Sequence, residues 1–453
     1  MGARPHDLIV EPAPANVGWR LPLVAVLTAV GAGLGGMALA MLLHAIQHLA
    51  YHYSLAEVIG KESFLSGVAG ASPLRRLAAL ITAGIVAGGG WFLLYRYGRP
   101  LVGIRRAVGE ADADALPPRM PLVSTVCHAL LQIVTVALGS PLGREVAPRE
   151  IGALIGQRMA AAFALPAPLR RQIVAAGAGA GLAAVYNVPF AGALFTLEVL
   201  LQSFHPVTAA LALCMSALAA LVASLGLGAE VQYALPAFKV SPALLAWAVL
   251  SGPVAGVAAH FFARFTSAAR AHAARGWRLA AFCLLNFTLI GALAMVFPEL
   301  PGNGKGPALL GFTGHIALGL AATLLALKFT VLCTTLRSGA MGGLLTPGLA
   351  CGALLGIIGA ALWNSLLPEV PAGACAVVLA AAFLATSMQM PLTAIVLVGE
   401  FTHLQYDMLP ALALAVAGSV CAQRLCAAQA RKADAARAPV PAPPGRETGV
   451  SLP

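Results

Sequence analysis

Charge is what this sequence goes without most conspicuously. Asp, Glu, Lys and Arg make up 10% of its 453 residues, where a soluble protein carries roughly a quarter. From Gln172 to Ala229 the single charged residue is Glu198, and from Ser338 to Gly399 it is Glu369. A helix in water needs a polar face, and these stretches cannot supply one. Other absences bear on function. The eight cysteines form no CxxC pair and have no His partners at metal-ligand spacing, so they read as small packing residues and neither metal nor cofactor is implied. There is no GxSG, no HExxH and no pair of intramembrane aspartates, so an intramembrane enzyme would lack its machinery.

What remains is hydrocarbon. Apolar residues are 59% of the chain and the mean hydropathy is +0.86, which makes this a multi-pass, all-α membrane protein. Leu21–Ile46, Leu77–Tyr95, Val207–Leu227, Pro242–Phe262, Leu279–Phe297 and Ile316–Leu336 are long enough to cross about 30 Å of hydrocarbon. Other apolar runs break after 10–15 residues, around Asn187-Val188-Pro189, Gly342–Pro347 and Gln389–Pro391. Such breaks predict half-helices that meet inside the membrane. The formal charge of +11 is a topology signal, with basic residues in short loops such as Arg75-Arg76, Arg105-Arg106 and Arg170-Arg171 and after Arg424. The positive-inside rule places the C-terminal end in the cytoplasm. Residues 1–20 are expected to be a polar cytoplasmic segment without a cleavable signal, and 427–453 a disordered tail. No nucleic-acid partner is implied.

The chain also repeats itself. PFAGALFTLE (Pro189–Glu198) parallels PLTAIVLVGE (Pro391–Glu400), and GALIG (Gly152–Gly156) parallels GALLG (Gly352–Gly356). Similar order at a shift of about 200 residues predicts two homologous halves, near 21–230 and 231–426, with a transport pathway at their interface. Chance similarity of Ala/Gly-rich spans is the alternative, and the strings do not say whether the halves are parallel or inverted.

Against this background the segment PLGREVAPRE (Pro141–Glu150) stands out, with two arginines and two glutamates in ten residues. Gly143 frees the backbone and Pro148 suits a first helical turn, where its missing N–H costs nothing. A helix starting here aims free N–H groups and the positive end of its dipole at whatever lies in front, an anion site without a fixed cation. SGAMGGLLTPGLACGALLG (Ser338–Gly356) repeats the device. Glu145 then sits where an anion would sit, as a tethered plug that protonation releases. The alternatives are a loop salt bridge with Arg144 or Arg149 and an ordinary helix N-terminal acid.

At these residues the sequence resembles the CLC family of chloride channels and chloride/proton antiporters. GREVAPREIGALIG is similar to the family's GREGP segment, and Ala175–Glu198 to the segment that follows it. SGAMGGLLTPGLACGALLG is similar to the GxFxP region, and Met390–Pro410 to the late membrane segment. The resemblance covers roughly Leu21–Arg424. It implies an inverted repeat of tilted and broken helices, a homodimer with one anion pathway per subunit, and a bilayer location, the inner membrane in a prokaryotic cell. It also implies Glu145 as the gating glutamate. The anion-binding positions it implies are Gly143, Arg144, Val146 and Ala147, then Gly343, Leu344, Leu345 and Thr346, with Val102 and Gly103 at the family's GSGIP motif. No C-terminal regulatory domain follows the matched segments.

The departures matter for mechanism. One extra residue separates Glu145 from its proline. The GSGIP region reads PLVGIR, with Val102 in place of the anion-coordinating serine, and the GxFxP phenylalanine is Leu345. The late pore tyrosine has no counterpart, because none follows Tyr406. Val199 occupies the position of the antiporters' inner glutamate. Glu198 is left as the candidate proton-path acid, with a structural acid satisfied at a helix end as its alternative. The function expected is passive chloride transport gated by Glu145. Chloride/proton antiport is the nearest alternative, and fluoride export a weaker one.

Overall fold

Two of the three expected helix breaks, at Asn187-Val188-Pro189 and Gln389-Met390-Pro391, have the same cause. Asn187 and Gln389 end their helices in the left-handed region, at φ 56° and 54°, and two residues later a proline opens the next helix. Proline at a first helical position wastes no N–H and fixes a helical φ. A computed structural model of the chain describes residues 18–52, 63–109, 117–228 and 231–437. The expected N-terminal segment, apart from 18–20, and residues 438–453 of the expected tail lie outside the described residues.

Among the described residues the chain is helical, without an extended strand. The first half runs α1 (Arg20–Tyr51), α2 (Phe64–Gly70), α3 (Pro73–Tyr97), α4 (Ile104–Val108), α5 (Leu122–Ala137), α6 (Val146–Ala162), α7 (Ala167–Tyr186), α8 (Pro189–Phe195) and α9 (Pro206–Leu227). A short π-helical turn, Thr196–Leu201, continues α8. The second half runs α10 (Pro242–Ala271), α11 (Trp277–Val296), α12 (Lys305–Thr313), α13 (Leu318–Ser338), α14 (Leu345–Asn364), α15 (Ala372–Ser387), α16 (Pro391–Thr402) and α17 (Leu409–Arg437). Eight stretches among the described residues are long and apolar enough to cross a membrane. The six spans expected from hydropathy are among them. The Ala-rich α17 runs through Ala427 to Arg437, into the stretch expected to be tail, as the high helix propensity of alanine favours.

The repeat is visible in what is buried. Every residue from Ile173 to Tyr186 in α7 and from Gly373 to Thr386 in α15 is buried, as helices apolar on all sides must be. The GALIG and GALLG strings explain how neighbours come so close. A Cβ added at Gly152 or Gly156 would meet the α7 backbone, and one at Gly352 or Gly356 would meet α15 at Ala380 or Ala376. Both are small-residue crossing faces, the usual solution where hydrocarbon gives helices no hydrophobic reason to associate.

The two halves are joined by reciprocal contacts. Gly143 N–H donates to Gly343 O at 2.7 Å and Gly343 N–H to Gly143 O at 2.9 Å, an isolated antiparallel bridge. Glu198 accepts from Leu392 N (3.0 Å) and Thr393 N (2.7 Å) at the start of α16. Glu400 accepts from Phe190 N (3.0 Å) and Ala191 N (2.8 Å) at the start of α8. Contacts in which i meets j and j's twin meets i's twin belong to a two-fold arrangement, and the antiparallel bridge makes the repeat inverted.

Candidate functional site

The bridge between Gly143 and Gly343 brings the N-termini of α6 and α14 face to face. Glu145 is the N-cap residue of α6, as the Gly-to-Pro spacing predicted, and Pro148 lies in its first turn. The side chain of Glu145 is fully buried. It does not turn back on its own helix. Its Oε1 accepts from Leu345 N–H at 2.7 Å, the first residue of α14. Leu345 is the repeat twin of Glu145, 200 positions on. The carboxylate thus occupies the positive end of the opposite half's helix, where unpaired N–H groups and the helix dipole favour negative charge.

The loop salt bridge considered from sequence is not how these side chains pair. Arg149 Nε donates to the backbone oxygen of Glu145 at 2.8 Å, and its guanidinium lies 4.9 Å from the Phe195 ring centroid. Arg144 lies over the Tyr186 ring, 5.0 Å from its centroid. Glu150, the second acid of the segment, pairs with His128 Nδ1 at 2.9 Å and accepts from Gln132 Nε2 at 3.1 Å.

Tyr186 was not singled out from the sequence. It is the last residue of α7, beside the Asn187 break, and its hydroxyl sits 3.5 Å from Glu145 Oε2 and 3.1 Å from Thr346 Oγ1. One signal was available: a hydroxyl-bearing aromatic beside a helix breaker, in a run with a single charge.

A cavity of about 280 Å³ opens onto this point. Its wall includes Arg144, Tyr186, Thr346, His44 and Lys305, and among the described residues that line it there is no Asp or Glu. Lys328, fully buried, donates to Leu300 O and Gly302 O (2.6 Å for the latter) and so fixes the loop that carries Gly302 and Asn303 into the cavity wall. Sidedness follows from α7. Its first turns carry Arg170-Arg171, which the positive-inside rule assigns to the cytoplasm. Its 20 residues rise about 30 Å, so Tyr186 and the cavity lie at the other end of α7 from Arg170-Arg171.

The other expected positions divide. Gly143, Arg144, Val146 and Ala147 on one side and Gly343, Leu344, Leu345 and Thr346 on the other flank the buried carboxylate. Val102 and Gly103 do not join them. Gly103 is the exposed N-cap of α4, and the cluster in which Val102 and α4 pack holds Ala153, Leu154, Val174 and Ala178. Both oxygens of Glu198 are engaged at the start of α16, including by Thr393 Oγ1 at 2.6 Å. Val199 packs against the apolar core. No His/Cys/Asp/Glu group among the described residues has metal-site geometry.

Comparison with known proteins agrees with this architecture. Residues 82–424 match the family described as voltage gated chloride channel. A ClcB-like relative from Ralstonia nicotianae is 31% identical over 329 residues, 70% of this chain and 74% of its own. The H(+)/Cl(-) exchange transporter ClcA of Vibrio vulnificus is 26% identical over 360 residues, 77% of each chain. The solved structure of a slow cyanobacterial Cl-/H+ antiporter superposes with a TM-score of 0.75 at 20% identity, covering 90% of this chain and 95% of that one. At that identity the likeness speaks for the fold. With most of its length matched to one family and its fold shared with a solved antiporter, the chain belongs to the voltage-gated chloride channel (CLC) family and is an anion-transport protein of the membrane.

Proposed function

We propose that the chain conducts chloride passively and that the Glu145 carboxylate is its gate. One observation carries the reading: the carboxylate accepts the Leu345 N–H beside Tyr186 and Thr346, which line a cavity whose described lining carries Arg144 and Lys305. An anion drawn in by Arg144 and Lys305 meets the carboxylate on the N–H group it would itself use. Backbone dipoles bind it gently enough to let it leave, which a fixed cation in the same place would not. Protonation removes the negative charge, weakens the bond to Leu345 and frees the position. Acid on the cavity side therefore raises the flux.

Passive movement is supported by what the other acids do. A proton route needs groups that donate and accept, and valine does neither. Val199 offers none, while Glu198 and Glu400 are held as helix caps. Proton-coupled exchange is the second reading, and it draws on the His128–Glu150 pair. That pair is largely buried, leaves His128 Nε2 unpartnered, and sits five residues along α6 from Glu145, about 7.5 Å of helix rise.

The test is chloride efflux from proteoliposomes with internal pH recorded. Passive conduction gives efflux without uphill proton movement. Steady, stoichiometric proton uptake against its gradient, lost in Glu150→Gln, establishes the exchanger instead. A second variant isolates the gate. A Cβ at Gly343 falls on the Glu145 carboxylate, the movable end of a side chain, so Gly343→Ala should fold and push the carboxylate off Leu345. Chloride efflux at neutral pH is expected to rise about tenfold, the equivalent of one charge-assisted hydrogen bond. Unchanged efflux with unchanged acid sensitivity would show that the carboxylate is no plug.

A further inference from the structure

We propose that the Tyr186 hydroxyl is the side-chain anion ligand of this site, donating its proton to Glu145 when the gate is shut and to the chloride when it is open. The inference rests on the gated-anion reading above and deepens it. Two side-chain hydroxyls that serve the CLC centre by resemblance are missing from this sequence: Val102 stands at one position and no tyrosine follows Tyr406 at the other. Val102 packs against the cluster of Ala153, Leu154, Val174 and Ala178, and Gly103 is exposed. If backbone N–H groups alone lined the site, the anion would have no O–H donor.

Tyr186 supplies one, and its surroundings hold it in place for the task. The residue is 4% exposed. Its ring is fixed between the Arg144 guanidinium, 5.0 Å from the centroid, and Phe401, whose ring centroid is 5.1 Å away at 64°. Its oxygen reaches Glu145 Oε2 (3.5 Å) and Thr346 Oγ1 (3.1 Å). The hydroxyl has one proton to give and can also accept. With Thr346 donating to the tyrosine oxygen, the tyrosine proton is free to point at the carboxylate position. Chained O–H donors polarise one another, and Arg144 over the ring draws negative charge to the same place. When the carboxylate leaves, Leu345 N–H and Tyr186 O–H converge on the volume it vacated, two donors about a single small anion. Tyr186 also lines the 280 Å³ cavity together with Arg144 and Lys305, so an anion arriving from there reaches it.

An O–H donor favours anions of high charge density, which hydrogen-bond strongly, over diffuse ones. Tyr186 is therefore also the residue that sets preference for chloride over nitrate. Thr346 acts as a positioning residue through the tyrosine.

The experiment is calorimetric titration of chloride and of nitrate into the full-length chain in detergent, with Glu145→Ala as the open background. Glu145→Ala is expected to bind chloride. Adding Tyr186→Phe, which keeps the ring and its contacts with Arg144 and Phe401, should weaken chloride binding about tenfold, as for one lost hydrogen bond to an anion. Nitrate binding should weaken much less, so the chloride-to-nitrate affinity ratio falls. Adding Thr346→Val instead, which leaves the tyrosine in place, should give a smaller loss with the same direction of ratio change. Size-exclusion profiles and thermal unfolding report whether each variant is folded. Chloride affinity and ratio unchanged by both Tyr186→Phe and Thr346→Val would overturn the tyrosine assignment while leaving the gate intact. Failure of Glu145→Ala itself to bind chloride would overturn the gated-anion reading, and the assignment with it.

Discussion

Chloride efflux from proteoliposomes carrying Glu145→Ala should exceed that of the parent chain by about one to two orders of magnitude at neutral pH. The estimate follows from the bond that is lost. Leu345 N–H donates to Oε1 of the fully buried carboxylate at 2.7 Å, and hydrogen bonds to charged groups contribute about 1.5–3 kcal/mol. Each 1.4 kcal/mol is a factor of about ten in occupancy. The pH profile should change as well. In the parent chain the negative charge holds the plug at neutral pH, and flux climbs as falling pH neutralises it. In Glu145→Ala nothing remains to titrate at the plug, so the profile flattens at its upper level. Glu145→Gln should fall between the two in flux, because the amide oxygen can still accept from Leu345 without a charge, and it too should lose acid activation. Parent-like flux in both variants, with acid activation retained, would place the gate elsewhere.

The second large effect is on stability. Glu198→Ala and Glu400→Ala should each lower the thermal unfolding temperature of the purified chain by several degrees. The physical cost is the same in both. Each carboxylate accepts two backbone N–H groups at the start of the other half's broken helix, and hydrocarbon offers those donors no replacement. Leaving a polar group unsatisfied costs about 1–3 kcal/mol, so two donors together amount to about 2–6 kcal/mol. Glu198 has a third partner in Thr393 Oγ1, so its loss should be the larger. Glu198→Gln and Glu400→Gln, which retain an acceptor oxygen, should recover part of the difference. The shift is read by fluorescence-detected unfolding in detergent. A Glu198→Ala chain as stable as its parent that had lost coupled proton movement would mean the acid is kept for protons.

These two results separate what neighbouring residues can announce from what they cannot. Membrane residence, the helix breaks at Asn187–Pro189 and Gln389–Pro391, the start of α6 behind Gly143, and the doubling of the chain are all written in adjacent residues. Scarcity of charge, proline and glycine chemistry, and a spacing that recurs act over a few positions and need no partner. That is why Glu145 could be picked out as an acid at a helix start. Its partner could not, because three partners fit the string equally well: Arg144, Arg149 and its own helix.

Tertiary structure chose a fourth. The inverted repeat sets Gly143 against Gly343, and the carboxylate crosses to a backbone N–H 200 residues away. The same symmetry turned Glu198 and Glu400, two isolated acids in apolar runs, into caps for each other's half. It also carried Tyr186 from the end of α7 to the Glu145 carboxylate. The GALIG and GALLG strings were legible as a repeat, while their use as crossing faces depended on which helix came to lie against them. The sequence by itself determined that this chain is a doubled set of membrane helices with an acid at a break. Which donors that acid meets was decided only when the halves packed, because a hydrogen bond in hydrocarbon is fixed by the geometry of distant backbones and leaves no trace in the residues beside it.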